Sequence, residues 1–370
     1  MSHSSRALAL LTAAALTLTG CSSLLEQEYT YITPHNAAPT ADGDPSILRA
    51  DSYQELVNAL IYFVTTGTEK GTVRLYMDEE DLDASLNAAC LEVAHEDPLG
   101  AYAVEYITFS LSSVVAYSEA TVNITYRRTK EQVASIVQAT GTTAIRSELA
   151  STMSAFQSEC VLRISYFNED EEFIQDLARQ AYYNAPSSAL GMPQLQVFLY
   201  PASGQQRIVE ILLTYPDDLS KLEQQKAALT NWLQSLSAPF AAFSGDSRIE
   251  QAARSIVSAG TYDPVGGSSV CALMDQGSAN SEGIALTMAA LCQHLGLPFR
   301  VVEGTLNGQP HFWNMVQISS GWRHLDLTDS QSGPYAPRTD QQMAELGYHW
   351  DTNLVPVSGP QEESAQGAGA

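Results

Sequence analysis

Three residues far apart in the chain have the side chains that acyl transfer requires: Ser281, His311 and Asp326. Such chemistry needs a nucleophile, a base to take its proton and a carboxylate to orient the base. Ser281 lies in Asn280-Ser281-Glu282-Gly283-Ile284-Ala285, His311 in Pro310-His311-Phe312-Trp313-Asn314, and Asp326 in Trp322-Arg323-His324-Leu325-Asp326-Leu327-Thr328. A serine hydroxyl is weakly acidic, so the base must remove its proton during attack and an oxyanion hole must hold the charge that forms. A structural reading stands beside the chemical one. Serine is a favoured helix N-cap, contributing ~1 kcal/mol, a strand-end histidine can be satisfied by local hydrogen bonds, and Asp326 can cap or pair locally. Tyr262, Asn280, Glu282 and Trp313 are the candidate lining of a ligand cleft, with Asn314 and His324 secondary. Cys271 and Cys292 are alternative nucleophiles, and Cys292 falls in an apolar stripe that predicts burial.

The elements that must position these residues can be read from periodicity. Ile284, Met288, Leu291, Cys292 and Leu295 recur at helical spacing, so Ser281 stands at the start of a buried helix that ends at Gly296. Arg300–Gly304, Phe312–Ile318 and Trp322–Leu327 read as strands, the last two joined by Ser319-Ser320-Gly321. A slip of one residue at that turn would send Asp326 to the face opposite His311. Arg248–Ser258 and Val270–Met274 read as helices ahead of the site.

In order and spacing, these segments resemble the core of the transglutaminase-like superfamily. That core reads Cys-x-Gly-Tyr-Ala, then His-x-Trp, then an Asp in a His-x-Asp-x-Thr strand. Glu282, Gly283, Ala285, His311, Trp313, Asp326 and Thr328 match, and Tyr262-Asp263 also recurs ahead of the nucleophile. The resemblance covers roughly residues 245–355 and implies a papain-like arrangement, with the nucleophile on a helix and the base on a strand. It also implies that Ser281 occupies the place of a nucleophilic cysteine. A thiol of free pKa ~8.5 can be ionised by a helix dipole and an imidazolium before substrate arrives, and a hydroxyl cannot. The expectation is therefore a site whose acyl transfer is lost or weakened.

The first two thirds of the chain carry a weak repeat. Thr72–Tyr76 resembles Val161–Tyr166, each an alternating strand ending in Tyr and followed by acidic residues and a helix, Leu82–Ala94 and Ile174–Tyr183. Pro98 and Pro186 follow those helices. Paired strands come next, Ala103–Ser110 with Ala120–Tyr126 and Gln194–Tyr200 with Arg207–Tyr215. Helices Tyr53–Val64 and Ile145–Phe156 open the two copies, and Ser220–Leu236 bridges onward. The fold class read from this is α+β, two repeated helix and antiparallel-sheet modules before a papain-like domain. The divisions are 1–20 leader, 21–46 flexible spacer, 47–140 and 141–236 modules, 237–358 transglutaminase-like domain and 359–370 disordered tail.

The leader has Arg6, an apolar stretch Ala7–Leu18 and the ending Leu18-Thr19-Gly20-Cys21. It is shorter than the ~20 apolar residues of a spanning helix and reads as a secretory signal. Its ending resembles a bacterial lipobox, which implies cleavage before Cys21, lipidation of that thiol and a place on the extracytoplasmic face of the cell membrane. The alternative is an ordinary signal peptide with an accidental cysteine. With 42 acidic residues against 18 basic and a net charge of -24, the chain lacks the basic surface that nucleic acid or anionic lipid would demand. Acidity serves solubility, or it favours a basic ligand. Cys90, Cys160, Cys271 and Cys292 fit no zinc spacing, and no metal or cofactor is expected. Three functions stay open: binding of a peptide or cell-wall fragment, a Ser281-dependent acyl hydrolase or transferase, and a structural envelope role through the modules. The oligomeric state is not legible.

Overall fold

The computed structural model describes residues 39–359, apart from 43, 241, 329–332 and 334. The leader, Cys21, most of the spacer and the tail from 360 onward lie outside the described residues. The last part of the expected spacer is already strand: β1 (Ala41–Asp42) and β2 (Asp44–Ala50) precede α1 (Tyr53–Thr66), β3 (Lys70–Leu75), α2 (Leu82–His95), α3 (Pro98–Ala103), β4 (Val104–Val114) and β5 (Tyr117–Tyr126). After a short α4 (Lys130–Ala134) the second unit runs β6 (Val137–Ala139), α5 (Thr142–Ser154), β7 (Glu159–Ile164), α6 (Glu171–Asn184), α7 (Pro186–Ala189), β8 (Gln194–Tyr200) and β9 (Arg207–Thr214). Local rules explain the helices. Ile174, Leu177, Ala178 and Ala181 form the buried stripe of α6, and the Asp170 side chain caps it by accepting from the Phe173 amide. Pro98 and Pro186 each open a short helix at its first turn, where a missing N–H costs nothing.

The two units share one connectivity. The strand orders are β1-β2-β3-β5-β4 and β6-β7-β9-β8, with β2–β3 and β6–β7 parallel and the other pairs antiparallel. The parallel strands β2 and β6 add to the antiparallel pairs that periodicity marks. Val73 pairs with Ala120 and Leu162 with Val209, a constant offset of 89 residues (73 to 162, 120 to 209). The same offset relates the Tyr126 hydroxyl, donating to the Thr68 carbonyl at 3.0 Å, to the Tyr215 hydroxyl, donating to the Gln157 carbonyl at 3.2 Å. It relates Gly67 to Phe156, both with positive φ at the helix exit. It sets Tyr76 against Ser165, so the expected Tyr76–Tyr166 equivalence is out of register by one residue.

The second sheet is covered on both faces, which is why β9 is almost continuously buried instead of alternating. Leu162, Ile164, Val209 and Ile211 face the helices of their own unit, whereas Val161 and Ile208 join the core of the first unit. Glu210 is buried at that junction, held by Arg128 at 2.5 Å and the Tyr200 hydroxyl at 2.9 Å.

The third region follows α8 (Leu219–Ser237). It contains α9 (Gly245–Ala259), β10 (Thr261–Tyr262), α10 (Ala272–Gln276), β11 (Ser278–Ala279), α11 (Ser281–Leu295), β12 (Phe299–Leu306), β13 (Gln309–Ile318), β14 (Gly321–Leu325), α12 (Asp340–Glu345) and β15 (Tyr348–Trp350). Its main sheet is antiparallel, order β14-β13-β12-β15, with α11 packed against β12 and β13. Gly359, expected to begin the tail, bridges Trp322. The fold is thus mixed α+β throughout. The core of the second unit is continuous with that of α9, α11 and β13. Among the described residues no helix is long and apolar enough to cross a membrane.

If the tyrosine hooks do equivalent work, Tyr126→Phe and Tyr215→Phe should each lower the unfolding free energy by about 1 kcal/mol in urea titrations. A negligible effect of either would remove that equivalence.

Candidate active site

Ser281 is the first residue inside α11. The cap is Asn280, whose side chain accepts from the Gly283 amide at 3.0 Å. This corrects the reading of Ser281 as N-cap: the neighbouring Asn does that work, and the serine hydroxyl is not used for it. Gly283 is required because a Cβ there would collide with the Gly267 carbonyl and Ala279, where the preceding loop crosses the helix end. Ser281 is 8% exposed, and its Oγ accepts from the Phe312 amide at 3.3 Å. Among the described residues, no hydrogen bond joins that hydroxyl to the His311 ring.

His311 and Asp326 do meet. His311 Nε2 lies 2.7 Å from Asp326 Oδ2. Register explains it. Asn314 pairs with Leu325, which sets Asp326 opposite Trp313 and diagonal to His311 on the same face. Asp326 also accepts from the Tyr348 hydroxyl at 2.7 Å and from the Thr328 amide and hydroxyl, both at 2.8 Å. A carboxylate that only accepts suits four donors. Burial pushes the Asp326 carboxyl up, but the hydrogen bonds from His311, Tyr348 and Thr328 outweigh it and hold the group below its ordinary value. Nε2–H donates to Asp326, and among the described residues no hydrogen bond reaches His311 Nδ1.

The proposed cleft residues divide. Tyr262 is exposed on β10, which pairs with β11 just ahead of Asn280. Glu282 accepts from the Tyr183 hydroxyl at 3.4 Å, and burial pushes its carboxyl up. Trp313 does not line a cleft. It is 1% exposed, stacked on His311 with ring centres 6.2 Å apart and planes 26° apart. The cause is strand parity: Trp313 projects with His311 and Met315 into the small core of Val302, Met343 and Tyr348. A Cβ at Gly304 would collide with the His349 carbonyl and the Trp313 ring, so that glycine makes room for both. Asn314 projects the other way and ties β13 to α11 through the Ala285 carbonyl at 2.9 Å. His324 is fully buried against Trp313. Cys271 and Cys292 are buried free thiols, pushed up to about 12 by burial, so neither supplies a thiolate.

Two contributors were not legible as site residues. Tyr348 comes from a three-residue strand, and Tyr183 reaches the site from α6 of the second unit, its ring edge-on to Phe312 at 6.0 Å. Only Tyr183's place at the end of a predicted helix hinted at the latter. Among the described residues, no group of three or more His, Cys, Asp or Glu is placed to hold a metal ion.

A helix bearing the nucleophile position, packed on an antiparallel sheet that supplies a hydrogen-bonded His–Asp pair, defines a papain-like class of domain. Residues 235–327 match the profile described as Transglutaminase-like superfamily, and that stretch is a transglutaminase-like domain. Similar solved structures include one described as a TGase, at 16% identity and TM-score 0.28, covering 51% of this chain and 57% of that one. A proposed cysteine protease from Cytophaga hutchinsonii is 16% identical with TM-score 0.25, covering 37% and 62%. A proposed protease from Parabacteroides distasonis is 8% identical with TM-score 0.24, covering 72% and 42%. The chain therefore spans less than two thirds of the length of each. No curated protein matches.

The Asp326 carboxyl lies below its unfolded value, so its stabilisation is present above about pH 4 and is lost as pH falls through the folded value. Asp326→Asn should lower the unfolding free energy by roughly 2 kcal/mol at pH 7, and the gap to wild type should narrow near pH 3. Denaturant titrations at the two pH values check this, and a gap independent of pH would contradict it.

Proposed function

We propose that this is a lipid-anchored extracytoplasmic protein whose transglutaminase-like domain binds a peptide or cell-envelope ligand and does not perform cysteine-type acyl transfer. The observation that carries this reading is the engagement of Ser281 Oγ with the Phe312 amide instead of the His311 ring. A hydroxyl in that setting is not activated before a ligand arrives, and no ionisable thiol replaces it. Asp326, with Tyr348 and Thr328 donating to it, holds the His311 ring so that its other nitrogen can hydrogen bond an amide, and Tyr183 and Glu282 lie to the side. The ligand is recognised and retained, and the anchor keeps it at the membrane.

One observation favours a second reading. The His311–Asp326 pair is intact, with Nδ1 free to take a proton. In a serine-dependent acyl hydrolase, Ser281 Oγ would attack the carbonyl as its proton passes to His311 Nδ1, and Asp326 would stabilise the imidazolium. The N–H groups at the start of α11 are the available oxyanion donors.

Labelling with an acyl phosphonate separates the two, with Ser281→Ala as control. Wild type should remain unlabelled, and labelling at Ser281 would establish the serine hydrolase. Ser281→Cys should place a thiol at a helix N-terminus beside His311, lower its pKa and make it react with iodoacetamide near neutral pH, about tenfold faster than in a Ser281→Cys/His311→Ala pair. Equal rates would mean that His311 does not address position 281. The anchor rests on the sequence Leu18-Thr19-Gly20-Cys21. Cys21→Ser should release the protein from membranes or leave it unprocessed, and a variant that still fractionates with membranes would refute lipidation.

A further inference from the structure

A second histidine–carboxylate pair lies beside the first. Trp313 Nε1–H donates to His324 Nδ1 at 2.8 Å, and His324 Nε2 lies 2.9 Å from Asp340 Oδ1. An indole N–H can only donate, so Nδ1 must present a lone pair and the His324 proton must sit on Nε2, directed at Asp340. One tautomer of the neutral ring satisfies both neighbours; an imidazolium would set two N–H groups against each other. Full burial lowers the His324 pKa, outweighing the Asp340 charge, in keeping with that geometry.

The pair is braced from the backbone. His324 and Arg338 exchange amide–carbonyl bonds of 2.9 Å in both directions. The Asp340 amide donates to Ser358 Oγ at 2.7 Å, and the Ser358 amide reaches both Asp340 oxygens at 3.2 Å. What this bracing holds is the Trp313 plane. Tyr348 and Trp350 meet that indole edge-on at 5.1 Å and 5.9 Å, His324 lies tilted against it at 6.1 Å, and the His311 ring stacks on it. His311 is thus located by Asp326 at one nitrogen, by Tyr348 edge-on at 5.8 Å and by Trp313 across one face.

We propose, on the reading that His311 is the residue that meets the ligand, that His324 is a positioning residue which sets the His311 ring through Trp313. Asp340 fixes the His324 tautomer, His324 fixes the rotation of the indole, and the indole fixes the plane of His311 and hence the direction of Nδ1. The site has two tiers: a nearly buried imidazole whose Nδ1 is left over for a ligand, and a fully buried one whose two nitrogens are both spent.

The test reads the His311 ring and not activity. In full-length protein labelled with ¹⁵N-histidine, the His311 Nε2–H signal, assigned by its loss in His311→Asn, should be protected from solvent exchange by its bond to Asp326. His324→Leu keeps the volume and removes the acceptor, and should speed that exchange at least tenfold. His324→Asn offers an oxygen near the place of Nδ1 and should restore protection to within about twofold of wild type. Where His324→Leu does not fold, Trp313→Phe keeps an aromatic plate without the N–H donor and should give the same acceleration. A folded His324→Leu or Trp313→Phe protein with unchanged His311 exchange would overturn the proposal. So would a His324→Asn variant as poorly protected as His324→Leu, because packing and not the hydrogen bond would then matter. Labelling at Ser281 leaves this result untouched, so the two readings can fail separately.

Discussion

Everything at the site depends on the register of one β-hairpin. Side chains alternate along a strand, so a shift by one residue would invert every face. The pairing of Asn314 with Leu325 places His311, Trp313 and Met315 of one strand on the same side as Asp326 and His324 of the next. The His311–Asp326 pair and the Trp313–His324 bond follow from it, as does the burial of Trp313 between the two histidines. Met343 and Tyr348 then close that side, while Asn314 turns back to the helix that carries Ser281. The turn at Ser319–Gly321 is short enough to pin the register, and Gly321 takes the positive φ it needs.

The electrostatics of the site divide its labour. Asp326 is saturated by four donors and is better placed to hold an imidazole than to accept a proton. Ser281 carries a hydroxyl, which does not ionise as a thiol can, at the first turn of a helix where partial positive charge gathers.

Much of this was legible in the sequence, and the limits have physical causes. Ser281, His311 and Asp326 stand out because their segments have strong periodicity and short connections. The helices of the two N-terminal units are marked by stripes such as Ile174, Leu177, Ala178 and Ala181. The strands β2 and β6 were not, since a parallel partner 25 residues further on, Ile47 with Thr72 and Val137 with Leu162, leaves no local pattern. Trp313 read as a cleft residue because parity alone does not say which face is covered. Tyr348 and Asp340 were invisible as partners of the histidines, since their contacts are set by the return of the chain after the hairpin. The cap at Asn280 could have been chosen over Ser281, since both residue types serve and only the geometry of the first turn decides.

The second unit is not an appendage. Its core and that of the C-terminal helices form one apolar mass, running from Ala139 to Leu325, and its helix α6 delivers Tyr183 to the side of Glu282. The segment recognisable by family, 235–327, is therefore smaller than the core it shares with the second unit. A fragment cut at the family boundary would leave the flank of α11 bare to water, and a graft of that fragment onto another protein would carry a sticky face with it. The module marked by the family profile and the module marked by the continuous core have different edges.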